Sequence, residues 1–373
     1  MNTVCIDCRY VGAKPSGIGE LVHSLIRHLP GLAPDLNFLL LKSAKRDEPL
    51  SVASNVEEVP IESPANGPAT MWWLPRIVDF RAIDVFHATF NILPAGIKKP
   101  TLTTIHDIMW LTHPQWCNPS LYGQIERRFY AHGIRRALKH ATHIATVSSA
   151  TRTAILERHP DLKDKISVTL SGVSDRFRPV DVNTALLRDL GIAPGKKIIL
   201  SVGQYSPYKN HDGALAGFAA AFKDRSDVAL VMVQRRNKNT AQMMSLANSL
   251  GIADRIYLTG PISEQSLITL YSAASALLHP SLCEGFGNPL AEAMACGCPV
   301  VTSNLSAMPE VTANAAALVD PYDSMHIGRA LRSVVDDANH AGTMREKGLA
   351  RAAQLSWHTF AQQHLKIYRA LLA

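Results

Sequence analysis

The chain has 373 residues, of which 47% are hydrophobic and 18% are charged, a composition typical of a soluble globular protein. One hydrophobic core rarely serves so long a chain, so the length predicts two domains. The net charge of +7 favours an anionic partner, and the absence of a Lys/Arg cluster interleaved with aromatic residues argues against nucleic acid. There is no apolar run long enough to cross a bilayer and no signal peptide, so we expect a cytoplasmic protein.

The first half alternates short β-rich runs with helical patterns, which predicts a doubly wound parallel sheet. The first strand is expected at 4–7, and Cys5-x-x-Cys8 overlaps it without the second pair or the histidines of a metal site. A glycine-containing loop covers 12–19. An amphipathic helix follows, because apolar residues recur at helical spacing at Ile18, Leu21, Val22, Leu25, Ile26 and Leu29. Further predicted elements are strands at 38–41, 84–87, 102–105 and 143–147 and a helix at 122–139.

The same rhythm restarts after a segment at 176–182 that is predicted to be a linker. Predicted elements of the second half are strands at 196–202, 228–233 and 256–259 and helices at 211–222, 239–250 and 264–274. A final helix is predicted at 357–372. The sequence therefore predicts two halves of similar β-α construction.

Two glutamates, Glu284 and Glu292, carry the strongest chemical signal. Short buried strands are predicted before them at 276–279 and after them at 299–302. Glu284 then falls in a Gly-rich loop at the carboxyl end of a strand, and Glu292 falls in the helix that follows. Ligands of open α/β sheets bind at that edge. Because a lone surface glutamate is usually just solvated, the inference depends on the whole segment.

The helix between those two strands has clear boundary signals. Asn288 is predicted as its N-cap, Pro289 as its first residue and Gly297 as its stop. The amides of residues 285–287 can approach a ligand closely because two of these residues are glycines. A helix start carries about half a positive charge, which favours a phosphate group there.

Residues 284–300 read Glu-Gly-Phe-Gly-Asn-Pro-Leu-Ala-Glu-Ala-Met-Ala-Cys-Gly-Cys-Pro-Val. This string resembles the Glu-x7-Glu motif of retaining glycosyltransferases with the GT-B fold, specifically family 4, the group 1 transferases. The resemblance implies an α/β fold of two Rossmann-like, doubly wound parallel-sheet domains that face an interdomain cleft. It implies an acceptor-binding domain at 1–179, joined by the C-terminal helix at 357–373, and a nucleotide-sugar donor-binding domain at 180–356.

The resemblance also implies catalytic residues. His106, which ends a predicted strand in Thr-Thr-Ile-His-Asp, would meet the transferred sugar near its reacting carbon. Glu284 would lie near the sugar, and Lys209 would bind the departing diphosphate. The far edge of the sugar would be held by the main chain of Gly285, Phe286, Gly287 and Asn288.

The nucleotide is expected to be bound by further residues of both halves. Gly17 and Gly19 stand at the start of the first helix, but Val22 replaces the third glycine of a dinucleotide fingerprint. The two glycines either let the loop turn or, as the resemblance implies, bring main-chain amides to the diphosphate. By the same resemblance, Glu292 accepts hydrogen bonds from the ribose hydroxyls.

The loop around Lys209 departs from the family pattern. Gln204 and Tyr208 stand where the family has an arginine, which leaves Lys209 as the one cation of the loop. We expect Arg235 and Arg236, just after the next strand, to compensate. The departure leaves the identity of the donor open.

The implied function is transfer of a hexose, with mannose favoured, from a nucleotide diphosphate sugar. GDP-mannose is the favoured donor and a UDP-sugar the alternative. The implied acceptor is a glycan or a lipid-linked saccharide, such as a polyprenyl-diphosphate-linked sugar, in cell-surface polysaccharide biosynthesis. No metal ion or other cofactor is expected.

Other interpretations remain. Residues 69–76 are either a contact with an anionic membrane at the inner face of the cytoplasmic membrane or an ordinary amphipathic core helix. A sugar-nucleotide epimerase shares the two-domain architecture, but the Glu-Gly-Phe-Gly string argues against it. A non-catalytic nucleotide-sugar-binding partner subunit is supported by the missing arginine alone.

Overall fold

The computed structural model describes residues 1–12, 16–117, 120–237 and 239–373, without the side chains at 121 and 122. The predicted loop at 12–19 therefore lies partly outside the described residues. The chain divides into two compact units: unit 1 contains residues 1–172 and 356–373, and unit 2 contains residues 173–355. The division at 172 lies ahead of the predicted boundary at 179.

Unit 1 is built on a parallel sheet of order β3-β2-β1-β4-β5-β6-β7. Its strands are β1 (Asn2–Asp7), β2 (Leu36–Ser43), β3 (Val56–Ile61), β4 (Val85–Ala88), β5 (Thr101–Ile105), β6 (His143–Thr146) and β7 (Ile166–Val168). Its helices are α1 (Gly17–Leu32), α2 (Pro68–Ile77), α3 (Met109–Thr112), α4 (Leu121–His140), α5 (Ser149–Leu156) and the C-terminal α14 (Trp357–Leu372), with short 3-10 helices at Pro114–Trp116 and Pro160–Lys165.

The predicted apolar face of α1 is buried. Ser16 caps the helix by accepting a hydrogen bond from the Gly19 amide at 3.0 Å, and Leu25 and Leu29 are fully buried. Truncating such a buried leucine to alanine costs about 2–5 kcal/mol. The helix is therefore held by its packing in unit 1 rather than by its intrinsic propensity.

Unit 2 is built on a parallel sheet of order β10-β9-β8-β11-β12-β13. Its strands are β8 (Lys197–Val202), β9 (Val228–Val233), β10 (Ile256–Leu258), β11 (Ala276–His279), β12 (Val300–Ser303) and β13 (Ala316–Val319). Its helices are α6 (Thr184–Asp189), α7 (His211–Phe222), α8 (Thr240–Ser249), α9 (Glu264–Ala273), α10 (Asn288–Ala295), α11 (Met308–Thr312), α12 (Ser324–Asp336) and α13 (Ala338–Gln354), with 3-10 helices at Pro207–Lys209 and Ala253–Arg255.

The strand order places one switch point in each sheet. In unit 1 the chain leaves β1 toward one edge and returns at β4 on the other side, and in unit 2 the same happens at β8 and β11. Loops at the carboxyl ends of these neighbouring strands diverge and leave a crevice, where ligands of such sheets bind. We therefore expect the ligand-binding sites at these two crevices.

Three observed strands, β3, β7 and β13, were not predicted, and all three lie at sheet edges. These three edge strands are partly exposed, so their sequences lack the buried apolar run of central strands. By contrast, the central strands β9 and β11 have the predicted bounds. The central strands could be predicted because burial on both faces gives them continuous apolar runs.

The segment predicted as a linker at 176–182 packs on α9. Arg176 Nε lies 2.6 Å from Glu264 Oε1, and the ring of Phe177 meets that of Tyr271 at 6.2 Å between centroids. The Val180 amide donates to Ser272 Oγ at 3.2 Å. These contacts make the segment part of unit 2.

Candidate functional site

The switch point of unit 2 brings together Lys209 and Glu284. Lys209 ends the 3-10 helix after β8, and Glu284 lies in the loop after β11. Lys209 Nζ is 2.6 Å from Glu284 Oε1, and the two side chains are only 15% and 11% exposed. The two predicted catalytic residues of unit 2 thus form one largely buried ion pair.

A histidine that was not predicted completes this pair. His279 Nε2 lies 3.1 Å from Glu284 Oε1 and 3.1 Å from Ser281 Oγ. Burial lowers the pKa of His279 below its ordinary value, and the nearby Lys209 charge adds to that effect while Glu284 opposes it. His279 is the last residue of β11 (Ala276–His279), at the strand end where ligands bind, which is the signal that could have identified it.

Glu284 is ionised at neutral pH. Burial alone would raise its pKa, but the charge of Lys209 and the hydrogen bond from His279 outweigh burial and lower the pKa from 4.5 to about 2. A carboxylate of this kind accepts hydrogen bonds and stabilises positive charge, but it does not donate a proton at neutral pH.

Main-chain contacts fix the loop that carries Glu284 against the loop after β8. The Leu282 amide donates to the Tyr208 carbonyl at 2.7 Å. Asn210, in left-handed conformation with φ of 53°, donates from Nδ2 to the Pro280 carbonyl at 3.1 Å. The same side chain caps α7 by accepting from the Gly213 amide at 3.2 Å.

The glycine loop ahead of α10 differs in one detail from the prediction. The N-cap is Gly287, with φ of 95°, and Asn288 is already the first helical residue, so the prediction of Asn288 as N-cap was wrong. The left-handed conformation favours glycine over asparagine at that position. Phe286 is buried, so its part in any sugar contact falls to the main chain, as it does for Gly285. The helix ends before Gly297, whose φ is 71°, as predicted.

Glu292 lies on α10 and is held by a buried tyrosine of α9. Tyr271 OH donates to Glu292 Oε2 at 2.9 Å. Burial, and then the Glu292 charge, raise the pKa of Tyr271 well above its ordinary value, so the phenol remains a donor. Tyr271 reads as an ordinary core residue in the sequence, and only its position in the fold identifies it as a partner of Glu292.

The cations predicted to supplement Lys209 are exposed. Arg235 and Arg236 follow β9, the neighbour of β8 in the sheet, so they lie at the same carboxyl edge as Lys209. Gln204 is also exposed on the loop after β8. Two arginines and a neutral amide are therefore among the exposed side chains at this edge.

In unit 1, the two predicted glycines begin α1. Gly17 is its first residue and is exposed, while Gly19 is buried. A Cβ on Gly19 would lie 2.8 Å from the Tyr10 carbonyl oxygen, so the close approach of α1 to the loop after β1 requires glycine at 19. Gly19 thus has a packing reason in addition to any role toward a ligand.

His106 follows β5 and is held as a neutral ring. Its Nε2 is 2.9 Å from the Thr89 carbonyl, to which only a protonated nitrogen can donate, so Nδ1 is the acceptor. Burial lowers the pKa of His106 to about 4, although the bond to Thr89 opposes the change. The amide of His106 donates to Asn91 Oδ1 at 2.9 Å, which fixes the main chain as well.

A buried ion pair next to His106 was not predicted. Arg9 Nη2 lies 2.6 Å from Asp7 Oδ2 at the end of β1, and Arg9 Nη1 also donates to Thr70 Oγ1 at 2.8 Å. Thr89 donates from Oγ1 to the Asp7 carbonyl at 2.6 Å and accepts from His106. The pattern Asp-x-Arg at the end of the first strand was the available signal.

His87, the other histidine at a strand end in unit 1, is a structural residue. It is fully buried, with Nδ1 2.7 Å from Tyr368 OH on α14 and Nε2 2.8 Å from Thr104 Oγ1. Both ring nitrogens are thereby satisfied within the fold. Among the described residues, no group of three His, Cys, Asp or Glu side chains is placed to hold a metal ion, and no helix is long and apolar enough to cross a membrane.

Comparison with known families identifies the class of protein. The family model described as Glycosyl transferases group 1 matches residues 183–351, and the one described as Glycosyltransferase Family 4 matches residues 15–177. Together the matches extend over most of both units, and the chain belongs to this family of glycosyltransferases. The predicted family and enzyme class are confirmed.

Individual proteins that resemble this chain in sequence include mannosyltransferases. O-antigen chain mannosyltransferase B of Escherichia coli is 28% identical over 290 residues, which cover 77% of this chain and 74% of that protein. The serotype-specific mannosyltransferase WbdA of Escherichia coli is 25% identical over 292 residues, which cover 76% of this chain but only 35% of WbdA. Sucrose-phosphate synthase from Thermosynechococcus elongatus has the same fold, with a TM-score of 0.73 and 19% identity over 100% of this chain and 99% of that one. The fold is GT-B, as predicted.

Proposed function

We propose that the protein is a retaining mannosyltransferase that uses GDP-mannose, with a UDP-sugar as the alternative donor, to extend a cell-surface polysaccharide. The Lys209–Glu284 pair at the switch point of unit 2 carries the proposal, because it combines a cation with an ionised carboxylate at the ligand-binding edge. Two relatives named as mannosyltransferases, one of them of the O-antigen chain, favour this sugar and this product.

In this proposal unit 2 binds the donor. The Lys209 ammonium has three N–H donors; one is directed to Glu284 at 2.6 Å, and the others are offered to the diphosphate. The start of α10, together with Arg235 and Arg236, adds positive potential for the departing phosphate. Glu292, fixed by Tyr271, accepts hydrogen bonds from the ribose hydroxyls. The main chain of residues 285–288 holds the sugar.

The chemical step is a substitution on one face of the sugar. The bond from the anomeric carbon to the phosphate oxygen breaks, the acceptor oxygen bonds to that carbon, and the leaving phosphate takes the acceptor proton. Glu284 stabilises the positive charge that develops on the sugar, because Lys209 and His279 keep it ionised. The ion pair with Lys209 and the hydrogen bond with His279 also lower the nucleophilicity of the Glu284 carboxylate. The step calls for no metal ion or other cofactor.

We assign acceptor binding and the second catalytic group to unit 1. The neutral His106 ring presents Nδ1 as an acceptor, which suits a sugar hydroxyl near the reacting carbon. Gly17 and Gly19 bring the start of α1 toward the donor diphosphate in this proposal. The acceptor is a saccharide, free or linked to a polyprenyl diphosphate.

A lipid-linked acceptor would require contact with a membrane, and α2 offers a suitable surface. Trp72 and Trp73 are each 46% exposed and Ile77 is 50% exposed, next to the exposed Arg76. Tryptophan side chains favour the lipid headgroup region, and basic residues favour anionic lipid. Flotation with vesicles that contain anionic lipid should show binding that weakens with salt. Absence of binding at low salt would exclude this surface as a membrane contact.

The function is tested by measuring nucleotide release from GDP-mannose and UDP-sugars, with and without saccharide acceptors, and by determining the anomeric configuration of the product. We expect release of GDP and an anomeric configuration equal to that of the donor. A non-catalytic binder would release no nucleotide even at high protein concentration. An epimerase would change the sugar without releasing the nucleotide. An inverted product would contradict the same-face mechanism.

A further inference from the structure

Ser306 adopts a backbone conformation that normally favours glycine. It lies between β12 and α11 with φ of 53°. A left-handed conformation costs a residue with a Cβ about 1–2 kcal/mol. Among the described residues, Asn210 and Ala313 are the other non-glycine residues with positive φ. Strain of this kind persists where neighbouring contacts hold it, and it is often found at functional sites.

The contacts that hold Ser306 are with the main chain of Glu284. Ser306 Oγ accepts a hydrogen bond from the Glu284 amide at 3.2 Å and donates to the Glu284 carbonyl at 2.8 Å. One hydroxyl therefore engages both polar groups of the residue whose carboxylate meets Lys209. A glycine at 306 would relieve the strain but could make neither bond.

The loop that carries Glu284 is thereby bound on both sides, by the loops that follow the two strands next to β11. The Leu282 amide bonds to the Tyr208 carbonyl of the loop after β8, at 2.7 Å. Ser306 provides the matching contact from the loop after β12. With the main chain fixed on both sides, the Glu284 side chain has little freedom in how it reaches Lys209 and His279.

We propose that Ser306 is a positioning residue for the glycosyl transfer, which sets the orientation of the Glu284 carboxylate by binding the Glu284 main chain. The inference rests on the proposed function of Glu284. Ser306 is exposed, so its two hydrogen bonds compete with water and contribute little to folding. Its hydroxyl matters for geometry more than for stability.

The first test compares Ser306→Gly with Ser306→Ala. Ser306→Gly should unfold close to the wild-type temperature, because relief of the left-handed strain offsets the weaker contact between Glu284 and Lys209. Its kcat for donor turnover should nevertheless fall by about tenfold, with the KM for donor within about twofold of the wild type. Ser306→Ala should lose activity in the same way and should be less stable than Ser306→Gly, because it keeps the left-handed strain. Equal kcat in wild type and Ser306→Gly would overturn the proposal.

Ala313→Gly is the matched control. Ala313 also has positive φ, at 49°, and is the C-cap of α11, where its amide donates to the Pro309 carbonyl at 2.9 Å rather than to Glu284. This variant should also relieve the strain of a positive φ, but its kcat should be unchanged. A matching loss of kcat in Ala313→Gly would mean that strain relief itself lowers activity.

A double-mutant cycle decides whether Ser306 acts through Glu284. In a Glu284→Gln background, Ser306→Gly should lower the remaining turnover by less than about twofold. An undiminished tenfold effect would show that Ser306 acts by another route. Wild-type protein without turnover on any donor would instead contradict the proposed function.

The positioning role of Ser306 can also be tested without measuring turnover, through the pH dependence of stability. The orientation that Ser306 imposes also supports the ion pair of Glu284 with Lys209, in the 3-10 helix after β8, and its contact with His279, at the end of β11. Ser306→Gly should therefore lose less stability than wild type as the pH falls from 4.5 toward 2, while Ala313→Gly should follow the wild-type curve. Identical pH curves for wild type and Ser306→Gly would refute the positioning role.

Discussion

The pair of Lys209 and Glu284 permits a worked prediction for Lys209→Met. Lowering the pKa of Glu284 from 4.5 to about 2 corresponds to about 3 kcal/mol in favour of the ionised carboxylate in the folded protein. Methionine keeps the apolar stem near the Tyr208 ring, where Lys209 Nζ now lies 5.5 Å from the centroid, but it leaves the carboxylate without its cation. His279 contributes part of that stabilisation, but removal of Lys209 leaves a buried carboxylate without its cation, which costs about 3–5 kcal/mol. We therefore expect unit 2 to lose about 3 kcal/mol at pH 7, or about 6–12 °C in Tm.

The pH dependence has a defined sign. The pKa of Glu284 is lower in the folded protein than in the unfolded chain, so its contribution is fully present above pH 4.5 and is lost as the pH falls toward 2. The difference between wild type and Lys209→Met should therefore shrink over that range. Calorimetry is the suitable assay, because all five tryptophans (Trp72, Trp73, Trp110, Trp116 and Trp357) lie in unit 1 and their fluorescence does not report on unit 2.

The control is the double variant Lys209→Met with Glu284→Gln, which removes both charges. It should recover at least half of the lost stability, since no buried charge is left without a partner. It should remain inactive in donor turnover. A double variant no more stable than Lys209→Met, or a Lys209→Met protein as stable as wild type at pH 7, would refute the reasoning about this pair.

Three further predictions concern single contacts. Tyr271→Phe should raise the KM for donor about five- to tenfold with kcat nearly unchanged, because it removes the 2.9 Å bond that orients the Glu292 carboxylate. An unchanged KM would show that this bond does not orient Glu292 for nucleotide binding. His106→Ala should lower kcat by about 100-fold or more. In the wild-type protein, the pH dependence of turnover should show no inflection from His106 between pH 5 and 8, because the pKa of His106 is about 4. A His106→Ala variant with the kcat of the wild type would overturn the catalytic assignment. Gly19→Ala should destabilise unit 1 by about 1–3 kcal/mol, because the added Cβ would lie 2.8 Å from the Tyr10 carbonyl oxygen. Tryptophan fluorescence measures the unfolding of unit 1. An unchanged unfolding midpoint would show that α1 can shift to make room.

The sequence by itself determined the family, the enzyme class and the central strands. The segment 284–300 identified the glycosyltransferase class, and the uninterrupted apolar runs of β9 and β11 marked strands that are buried on both faces. The edge strands β3, β7 and β13 escaped prediction, because half-exposed strands need no such run. The N-cap at Gly287 was missed, because the chain needs positive φ there and a side-chain cap preference does not reveal that need.

Only the tertiary structure decided which side chains meet. Lys209 and Glu284 are 75 positions apart, and Tyr271 and Glu292 are 21 apart, so no local pattern joins either pair. Contacts of this kind follow from strand order, because β8 and β11 are neighbours in space although β9 and β10 separate them along the chain. The bond from Ser306 to the Glu284 main chain has the same origin in the pairing of β11 with β12. Sequence motifs named the candidate residues, and the parallel sheet determined how they are held.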